Sequence, residues 1–493
     1  MTIDTTIAVR LHQICLKNDT MKLEQIYTNC LAHGAYFLES NGECAIIDPL
    51  RDIDGYIDLA NKYGGKIKYI FETHFHADFV SGHVDLAKKT GATIIYGPTT
   101  MKTGFDAYIA KDGESFQLGA LSIQAIHTPG HTLESTCYLL NNENNEPISI
   151  FTGDTLFIGD VGRPDLAQHV IKDLTPEMLA GFLYDSLREK LMTLPNHITI
   201  FPGHGAGSAC GKKMSSETHD TLGNQKKTNY ALRSELTKEE FIKELLHGLT
   251  PPPSYFPKNV LMNIHGYENM DQIMKRGLKP LTVESFSDYL NEKYLIIDTR
   301  AAEPFSESFI PGSMNIGLNG SFAVWAGTLI SNIEQPFLIV ADPGKEKESL
   351  LRLSRVGYDG CVGYLDGGIT AWQNAGKATQ KIQNISAQTF IDQLHILSEN
   401  QVLDVRKNSE FEAQHLSHTT NLPLDYLLQH ITELDPKQHY TLFCAGGYRS
   451  MIAASILAAN GFRFITNVSG GFNEIKKIKN APVTEEFEPI TLL

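Results

Sequence analysis

The sequence predicts a multidomain α/β protein in which one large domain precedes two related small domains. Three observations predict this class: a length of 493 residues, apolar runs that alternate with amphipathic segments, and a long internal repeat. A single hydrophobic core does not extend over such a chain, because domains usually contain about 100–200 residues. Alternating strand-like and helix-like segments are typical of α/β domains.

The composition is that of an ordinary globular protein, with 42% hydrophobic residues, 20% charged residues and a formal net charge of −15. No apolar run reaches the ~18–20 residues of a membrane span, and no basic run indicates a nucleic-acid surface. The seven cysteines are scattered and form no CxxC pair, which favours a reducing compartment. We interpret residues 1–20 as an N-terminal extension rather than a signal peptide, and we expect a cytoplasmic protein without membrane or nucleic-acid partners.

The large domain, expected over residues 21–260, contains four apolar runs that end in polar residues: KIKYIFETH, LSIQAIHTPGH, ISIFTGD and ITIFPGH. Each run predicts a short buried strand. Strand ends converge on one rim of a sheet, where sites are usually built. The polar residues at these ends are typical ligands of Zn, Fe or Mn: His74, His76 and Asp78, then His127 and His131, then Asp154, and finally His204.

The tract TPPPSYFP, residues 250–257, marks the end of the large domain, because it cannot continue a helix or a central strand. A linker-like stretch is expected from there to about Pro280. Behind it, YLIIDTRAAEPF matches QVLDVRKNSEF, and LDGGITAW matches VSGGFNEI, with about 105 residues between the partners. A repeat of this length indicates a duplicated domain. We place the two copies at residues 270–378 and 385–485.

The order of the motifs HxHxD, GHT, TGDT and PGHG resembles the metallo-β-lactamase superfamily, which implies an αββα sandwich of two mixed sheets. Members that bind two metals use three histidines at one site, here His74, His76 and His131. Their second site corresponds to Asp78, residue 79 and His204, with Asp154 as the bridge. Phe79 has no lone pair to donate, so it favours a mononuclear centre, and two weakly bound metals are the alternative.

A one-metal branch of this fold, the persulfide dioxygenases, is similar in the same motifs. The resemblance implies one Fe(II) per chain, with His74, His131 and Asp154 as ligands. Two histidines and one carboxylate leave coordination positions for a sulfur substrate and O₂. Zn is d¹⁰ and cannot pass electrons to O₂, so an oxygenase needs Fe(II). The remaining polar residues are then expected near the metal or in its outer shell: His76, Asp78 and His204.

Two further residues are candidates for the substrate cavity of the large domain. Arg163 lies in GDTLFIGDVGRPDL, whose glycines allow a close approach to the metal, and in the family this loop borders the substrate. The alternative is a surface ion pair between Arg163 and Asp165. Cys210 lies in HGAGSACGK, where related fusions place a cysteine near the site. A buried, inert thiol is the alternative.

The second repeat copy contains one candidate nucleophile. In YTLFCAGGYRSM, Cys444 follows a strand and precedes a helix, so backbone N–H groups and a helix N-terminus face the thiol. Such a loop stabilises a thiolate or a persulfide anion. The loop resembles that of rhodaneses, which implies sulfur transfer through Cys444, an anion cradle that includes Arg449, and substrate contacts from Gly446, Gly447 and Ser450. A buried structural cysteine is the alternative.

The first repeat copy retains Asp298, Arg300 and a glycine pair but reads FLIVADPGKEKES at the loop. Ala341 or Asp342 stands where the cysteine belongs, and Cys361 lies in a different strand. We interpret this copy as a pseudo-rhodanese that packs the other two domains together.

The whole chain resembles the bacterial persulfide dioxygenase–rhodanese fusions of sulfide detoxification. This implies Fe(II)-dependent oxidation of a thiol persulfide (of glutathione, coenzyme A or a similar thiol) by O₂ to sulfite. It also implies sulfur transfer through Cys444 that forms or uses thiosulfate, and we expect a homo-oligomer. The alternatives are a zinc thioesterase of the glyoxalase II kind with a sulfur-carrier domain, and a non-enzymatic sulfur-sensing scaffold. Phe79 argues against the thioesterase, and the ligand set and the Cys444 loop argue against the scaffold.

Overall fold

The computed structural model describes residues 9–13, 21–166, 174–249 and 251–487. The chain divides into two compact units. The first unit comprises residues 1–270 with the segment 354–357, and the second comprises residues 271–353 and 358–493. Within the described residues, no helix is both long and apolar enough to cross a membrane.

The first unit contains two mixed sheets whose strands follow the order of the sequence. The first sheet has seven strands: β1 (Val9–Gln13), β2 (Lys22–Thr28), β3 (His33–Ser40), β4 (Glu43–Ile47), β5 (Lys66–Glu72), β6 (Thr93–Tyr96) and β7 (Tyr108–Ile109). The second has six: β8 (Ser115–Leu118), β9 (Leu121–His127), β10 (Thr136–Asn141), β11 (Pro147–Gly153), β12 (Thr199–Pro202) and β13 (Asp220–Thr221). Residues 9–13 of the expected N-terminal extension therefore form an edge strand, antiparallel to β2.

Alternate residues of the central strands enter two different cores. On β10, Tyr138 and Leu140 lie in the core that the two sheets share. Cys137 and Leu139 lie in a second core, which also contains Leu183 from the helical layer. This alternation follows from the two-residue period of a strand. A strand buried on both faces reads as a continuous apolar run.

The helices of the first unit complete the layers. The Thr175 side chain accepts a hydrogen bond from the Met178 N–H at the start of one helix, and Thr237 with Glu240 forms a capping box at another. The helices are α1 (Asp54–Lys62), α2 (His83–Thr90), α3 (Pro176–Asp185), α4 (Leu222–Thr228), α5 (Lys238–Leu246) and α6 (Phe256–His265).

The prediction of a linker up to Pro280 is wrong. Helix α6 and the next helix, α7 (Met270–Gly277), occupy that stretch. Pro257 lies in the first turn of α6, where a missing N–H costs no intrahelical hydrogen bond. Val260 and Ile264 are buried on one side of this helix, so tertiary packing supports it.

The second unit contains two five-stranded sheets with the same parallel topology. In each, the first strand lies at one edge, followed by the fifth, the fourth, the second and the third. The first copy contains β14 (Pro280–Leu281), β15 (Leu295–Asp298), β16 (Ser313–Asn315), β17 (Phe337–Val340) and β18 (Cys361–Leu365). The second contains β19 (Gln383–Ser386), β20 (Val402–Asp404), β21 (Thr420–Asn421), β22 (Tyr440–Phe443) and β23 (Ile465–Ser469).

Both copies surround their sheet with helices. Those of the first copy are α8 (Val283–Asn291), α9 (Ala302–Glu307), α10 (Phe322–Leu329), α11 (Glu346–Arg355) and α12 (Gly368–Asn374). Those of the second copy are α13 (Ala387–Gln393), α14 (Asn408–Ala413), α15 (Leu427–His430), α16 (Tyr448–Ala459) and α17 (Gly471–Ile475). The identical strand order shows that the repeat in the sequence is a duplicated α/β domain.

Candidate metal centre and candidate nucleophile

His74, His131 and Asp154 come together on the loops that follow β5, β9 and β11. The Nε2 atoms of His131 and His74 lie 3.5 and 3.9 Å from Asp154 Oδ2. All three side chains are buried, and Asp154 Oδ2 accepts no hydrogen bond within the described part of the chain. A buried carboxylate oxygen without a donor, next to two imidazoles, is suited to a metal ion. The structure therefore brings together the three residues expected to hold the iron.

Neighbouring groups orient both histidine rings. The Thr73 hydroxyl donates to Asp48 Oδ2 at 2.9 Å, so it accepts a hydrogen bond from His74 Nδ1, also at 2.9 Å. His131 Nδ1 donates to the Arg163 carbonyl oxygen at 2.8 Å. With Nδ1 protonated, each ring offers the lone pair of Nε2, as the outer shell of a metal site commonly arranges. Sequence reasoning missed Asp48, although its place at the end of the apolar run ECAII was a usable signal.

His204 lies between two carboxylates rather than among the three candidate ligands. Its Nδ1 donates to Asp154 Oδ1 at 2.8 Å, and its Nε2 lies 2.9 Å from Asp78 Oδ2. Burial disfavours the imidazolium, but the charges of Asp154 and Asp78 hold the pKa of His204 well above its usual range. Burial alone would raise the pKa of Asp154, yet the His204 charge holds it well below its usual range. Asp154 is thus an anion with one oxygen already occupied.

His76 is directed toward a different group of acids. Its Nε2 lies 3.1 Å from Asp48 Oδ1 and 3.5 Å from Glu72 Oε2. Its ring stacks on Phe79, with 4.3 Å between the ring centroids. Phe79 is fully buried and also contacts His33, at a centroid distance of 4.3 Å. The phenyl ring therefore fills the space beside the histidines with apolar atoms.

His127, the other histidine of LSIQAIHTPGH, is not brought into the centre. Its Nε2 lies 2.8 Å from the Leu133 carbonyl oxygen, and the residue is half-buried. A histidine at a strand end that hydrogen-bonds to a nearby carbonyl has a local structural role.

Arg163 supports the metal centre through its backbone. Its guanidinium makes two hydrogen bonds to Asp165, both 2.6 Å long, and Arg163 is only 2% exposed. The ion pair with Asp165, the alternative to a substrate contact, is therefore present, but it is buried rather than at the surface. The adjacent Gly162 allows the loop to pass the ligands closely: a Cβ there would lie 2.0 Å from the Asp154 carbonyl oxygen and 2.9 Å from His131 Nδ1.

Cys210 lies beside this centre. Its Sγ and single ligand atoms of Asp78 and His204 all lie within 4.8 Å of one another. The Cys210 carbonyl accepts the Arg163 N–H at 2.9 Å. Burial raises the pKa of the Cys210 thiol well above its usual range, so the thiol is protonated in this environment.

The Cys444 loop connects β22 to α16. Cys444 is buried, and the Gly447 N–H donates to its Sγ at 3.1 Å. The Ser450 hydroxyl donates to the Gly447 carbonyl at 3.3 Å, which tightens the first turn of α16. Gly446 is exposed. A thiol at this position receives a backbone hydrogen bond and faces the positive end of a long helix.

Arg449, expected in the anion cradle, pairs with Glu410 from α14. Its Nη1 and Nη2 donate to the two carboxylate oxygens, the second at 2.8 Å. Burial would raise the pKa of Glu410, but Arg449 lowers it below its usual range. The cation is thus fixed in place by an anion. Sequence reasoning missed Glu410, which lies six residues after Asp404 in DVRKNSE.

The first copy has the same loop position without a nucleophile. The Thr299 N–H donates to the Val340 carbonyl, just as the Val405 N–H donates to the Phe443 carbonyl. Because Ala341 follows Val340 directly, it is the counterpart of Cys444. A cavity of about 260 Å³ remains at this loop, and no cysteine lines it. Cys361 is in β18, and burial raises its pKa to about 12.

Comparison with known proteins identifies the two kinds of domain. The family model for the metallo-beta-lactamase superfamily matches residues 29–204, and that for the rhodanese-like domain matches residues 282–375 and 386–478. A probable hydroxyacylglutathione hydrolase of Schizosaccharomyces pombe is 30% identical over 243 residues, which cover 44% of this chain and 88% of that protein. The chain belongs to the metallo-beta-lactamase superfamily.

Two further relatives agree with membership of the metallo-beta-lactamase superfamily. A cytoplasmic hydroxyacylglutathione hydrolase of Arabidopsis thaliana is 31% identical over 167 residues, 34% of this chain and 60% of that protein. A crystal structure of a metallo-beta-lactamase from Staphylococcus aureus superposes with a TM-score of 0.64 at 32% identity, covering 70% of this chain and 99% of that chain. The predicted fold class, a metallo-β-lactamase sandwich followed by two rhodanese-like domains, is confirmed. The chain is an enzyme of these families.

Proposed function

We propose that this chain oxidises low-molecular-weight thiol persulfides with O₂ to sulfite at one Fe(II), and that Cys444 transfers sulfane sulfur. The observation that carries the first activity is the arrangement of Asp154. Its Oδ1 is occupied by His204, and its Oδ2 lies 3.5 and 3.9 Å from the Nε2 atoms of His131 and His74. The free oxygen of Asp154 and the two imidazoles together offer three ligand atoms for one metal ion.

The three candidate ligands fit a mononuclear iron site. His74, His131 and Asp154 form the two-histidine, one-carboxylate set of non-heme iron oxygenases, which leaves positions for a sulfur substrate and O₂. When bound there, Fe(II) supplies the one-electron chemistry with O₂ that Zn cannot supply. The reaction R–S–SH + O₂ + H₂O → R–SH + SO₃²⁻ + 2 H⁺ is balanced, because the terminal sulfur loses four electrons and O₂ gains four.

The surrounding residues fix the protonation of the three candidate ligands and limit the water beside them. Thr73 and the Arg163 carbonyl hold the protons of His74 and His131 on Nδ1. His204 keeps Asp154 ionised. Phe79 is fully buried, so its ring excludes water from the space beside His76.

Sulfur transfer is assigned to Cys444. Its thiolate attacks the terminal sulfur of a thiol persulfide, R–S–SH, whose S–S bond breaks as the thiol R–SH leaves. The Cys444 persulfide anion that forms is stabilised by the Gly447 N–H and by the start of α16. The transfer Cys444–S–S⁻ + SO₃²⁻ → Cys444–S⁻ + S₂O₃²⁻ breaks one S–S bond and forms another. In the reverse direction the same step uses thiosulfate to form the persulfide.

A zinc-dependent thioesterase is the second candidate function. It is favoured by the similarity to hydroxyacylglutathione hydrolases and by the second group of candidate ligands, Asp78, His204 and Cys210. Against it, Phe79 offers no lone pair at the second site, and the Nδ1 atom of His204 is already hydrogen-bonded to Asp154.

Metal content and oxygen uptake test the two functions against each other. We expect about one Fe per chain by inductively coupled plasma analysis. We also expect O₂ uptake with glutathione persulfide or coenzyme A persulfide, with sulfite as the product. Asp154→Asn should lose both the iron and the uptake, because a neutral amide is a poor ligand. About two Zn per chain, hydrolysis of a glutathione thioester and no O₂ uptake by the Fe-loaded protein would contradict the proposal.

A further inference from the structure

Helix α16, which begins directly after the Cys444 loop, packs against β16 of the first repeat copy. Among the described residues of the second unit, hydrogen bonds join this helix to β16 and to the loop that follows it. The Tyr448 hydroxyl donates to the Gly317 carbonyl at 2.7 Å. The Asn315 N–H donates to the Ser455 hydroxyl at 2.9 Å, and both residues are buried. The helix that carries the sulfur-transfer loop is therefore anchored on the copy that lacks a nucleophile.

The first of these anchors is shaped closely around the tyrosine ring. A Cβ atom on Gly320 would lie 2.5 Å from Cζ and 2.7 Å from Cε1 and Cε2 of Tyr448. Real Cβ atoms do not approach an aromatic ring so closely, so only glycine fits at position 320 while the ring stays in place. We call residues 317–320 the Tyr448 socket. The Gly317 carbonyl accepts the hydrogen bond from the Tyr448 hydroxyl, and the ring packs against Gly320.

Tyr448 is coupled to the thiol through one peptide. Its neighbour Gly447 donates its N–H to Cys444 Sγ at 3.1 Å, and Gly447 has φ +100°, which glycine adopts without strain. The direction of this N–H depends on the plane of the peptide that joins Gly446 to Gly447 and on the φ angle of Gly447. The peptide plane and the φ angle are both constrained by the position of Tyr448, the next residue in the chain. A shift of the ring is thus transmitted to the hydrogen bond on sulfur.

We propose that Tyr448 is a positioning residue for sulfur transfer, and that the first repeat copy supplies the socket that holds it in place. The nucleophile-free copy then contributes to the transfer site as well as to packing. The part of this proposal that concerns sulfur transfer rests on the function proposed for Cys444. The reactivity of the Cys444 thiol can be measured without turnover, so the two proposals are tested separately.

Tyr448→Phe and Gly320→Ala test the socket in the full chain. The first variant keeps the ring and removes the hydroxyl, and the second moves the ring. The readouts are the iodoacetamide alkylation rate of Cys444 at pH 7, followed by mass spectrometry of its peptide, and kcat with thiosulfate. We expect both to fall about tenfold or more in Gly320→Ala, because a misplacement of about 1 Å at a reacting centre can cost up to about 100-fold. Tyr448→Phe should show a smaller fall, about threefold, because it loses one hydrogen bond.

Two control variants separate positioning from stability. Ser455→Ala removes the other hydrogen bond between the same helix and the same copy, about two turns from the loop. We expect it to lower Tm while alkylation and kcat stay at the wild-type values. Gly55→Ala adds a methyl group in α1 that meets no atom within 4 Å beyond its chain neighbours and its own helix backbone. It should leave alkylation and kcat unchanged, while Tm stays the same or rises slightly, because alanine favours a helix more than glycine does.

Wild-type alkylation rates in folded Tyr448→Phe protein would overturn the proposal, as would an equal loss of reactivity in Ser455→Ala. Tyr448→Phe keeps the ring packing, so it decides the question even where Gly320→Ala does not fold. Wild-type protein that transfers no sulfur would contradict the function proposed for Cys444. The alkylation rates would still decide whether the socket positions the thiol.

Discussion

At the scale of single residues, the metal centre depends on which nitrogen each histidine presents. His74 and His131 have their Nδ1 atoms occupied by the Thr73 hydroxyl and the Arg163 carbonyl. Asp154 has one oxygen occupied by His204. Each ligand thus retains a single free donor atom directed toward the same point. Small outer groups determine this arrangement as much as the ligands do.

Thr73→Val tests the role of these outer groups. Valine has nearly the shape of threonine but neither accepts the His74 Nδ1–H nor donates to Asp48. We expect iron affinity to fall about 10–100-fold, the usual effect of an outer-shell loss. Competition with a chelator measures it. Thr90→Val is the matched control, since its hydroxyl bonds only locally: it donates to the Leu86 carbonyl and accepts the Ala92 N–H at the end of α2. Equal iron affinity in the two variants would show that Thr73 does not orient His74.

At the scale of elements, the loop of residues 159–165 shows how a buried ion pair supports a distant ligand. The pair of Arg163 with Asp165 holds the loop in place, and the Arg163 carbonyl then meets His131, which is 32 positions earlier in the chain. Gly162 allows the close passage between them. The strand ends bring the ligands together, and this loop holds one of them in its rotamer.

Asp165→Asn tests the loop. It leaves the Arg163 guanidinium buried and without its anion, which costs about 3 kcal/mol of unfolding free energy, and iron affinity should fall with it. Urea unfolding and chelator competition measure the two effects. Glu244→Gln is the control, because its pair with Arg233 is about 40% exposed on both sides and such pairs contribute about 0–1 kcal/mol. Similar destabilisation in both variants would contradict the structural role of the Arg163 pair.

At the scale of the whole molecule, the two candidate reactions have separate machinery. The metal centre lies in the first unit and the Cys444 loop in the second. Under the proposed function, joining both in one chain would raise the local concentration of a sulfur intermediate that one site makes and the other uses.

Cys444→Ser tests this division. We expect it to abolish thiosulfate turnover and to leave persulfide-dependent O₂ consumption intact, because the metal ligands are unaffected. Oxygen-electrode and sulfite assays measure the two activities. Cys361→Ala is the control: its thiol is buried in β18, so thiosulfate turnover should persist. Loss of O₂ consumption in Cys444→Ser would mean that the reactions are not divided in this way.

Much of the architecture follows from local pattern. The apolar runs that precede His74, Asp154 and His204 are strands because both of their faces are buried. The match between Asp298 and Asp404 reflects a real duplication, since both are buried aspartates paired with an arginine two residues later. Local pattern failed at Pro257, where a breaker signal marks the first turn of a helix.

The sequence by itself determined the fold class, the duplication, the loss of the cysteine from the first copy and the residues able to bind a metal. These depend on composition, periodicity and motif order, which can be read along the chain without knowing which residues are in contact. Only the tertiary structure decided that His76 is directed toward Asp48 and Glu72, that His204 lies between two carboxylates, and that Tyr448 sits against Gly320. Each of these depends on the direction of a side chain and on a partner far away in the chain, which packing sets and motif spacing does not.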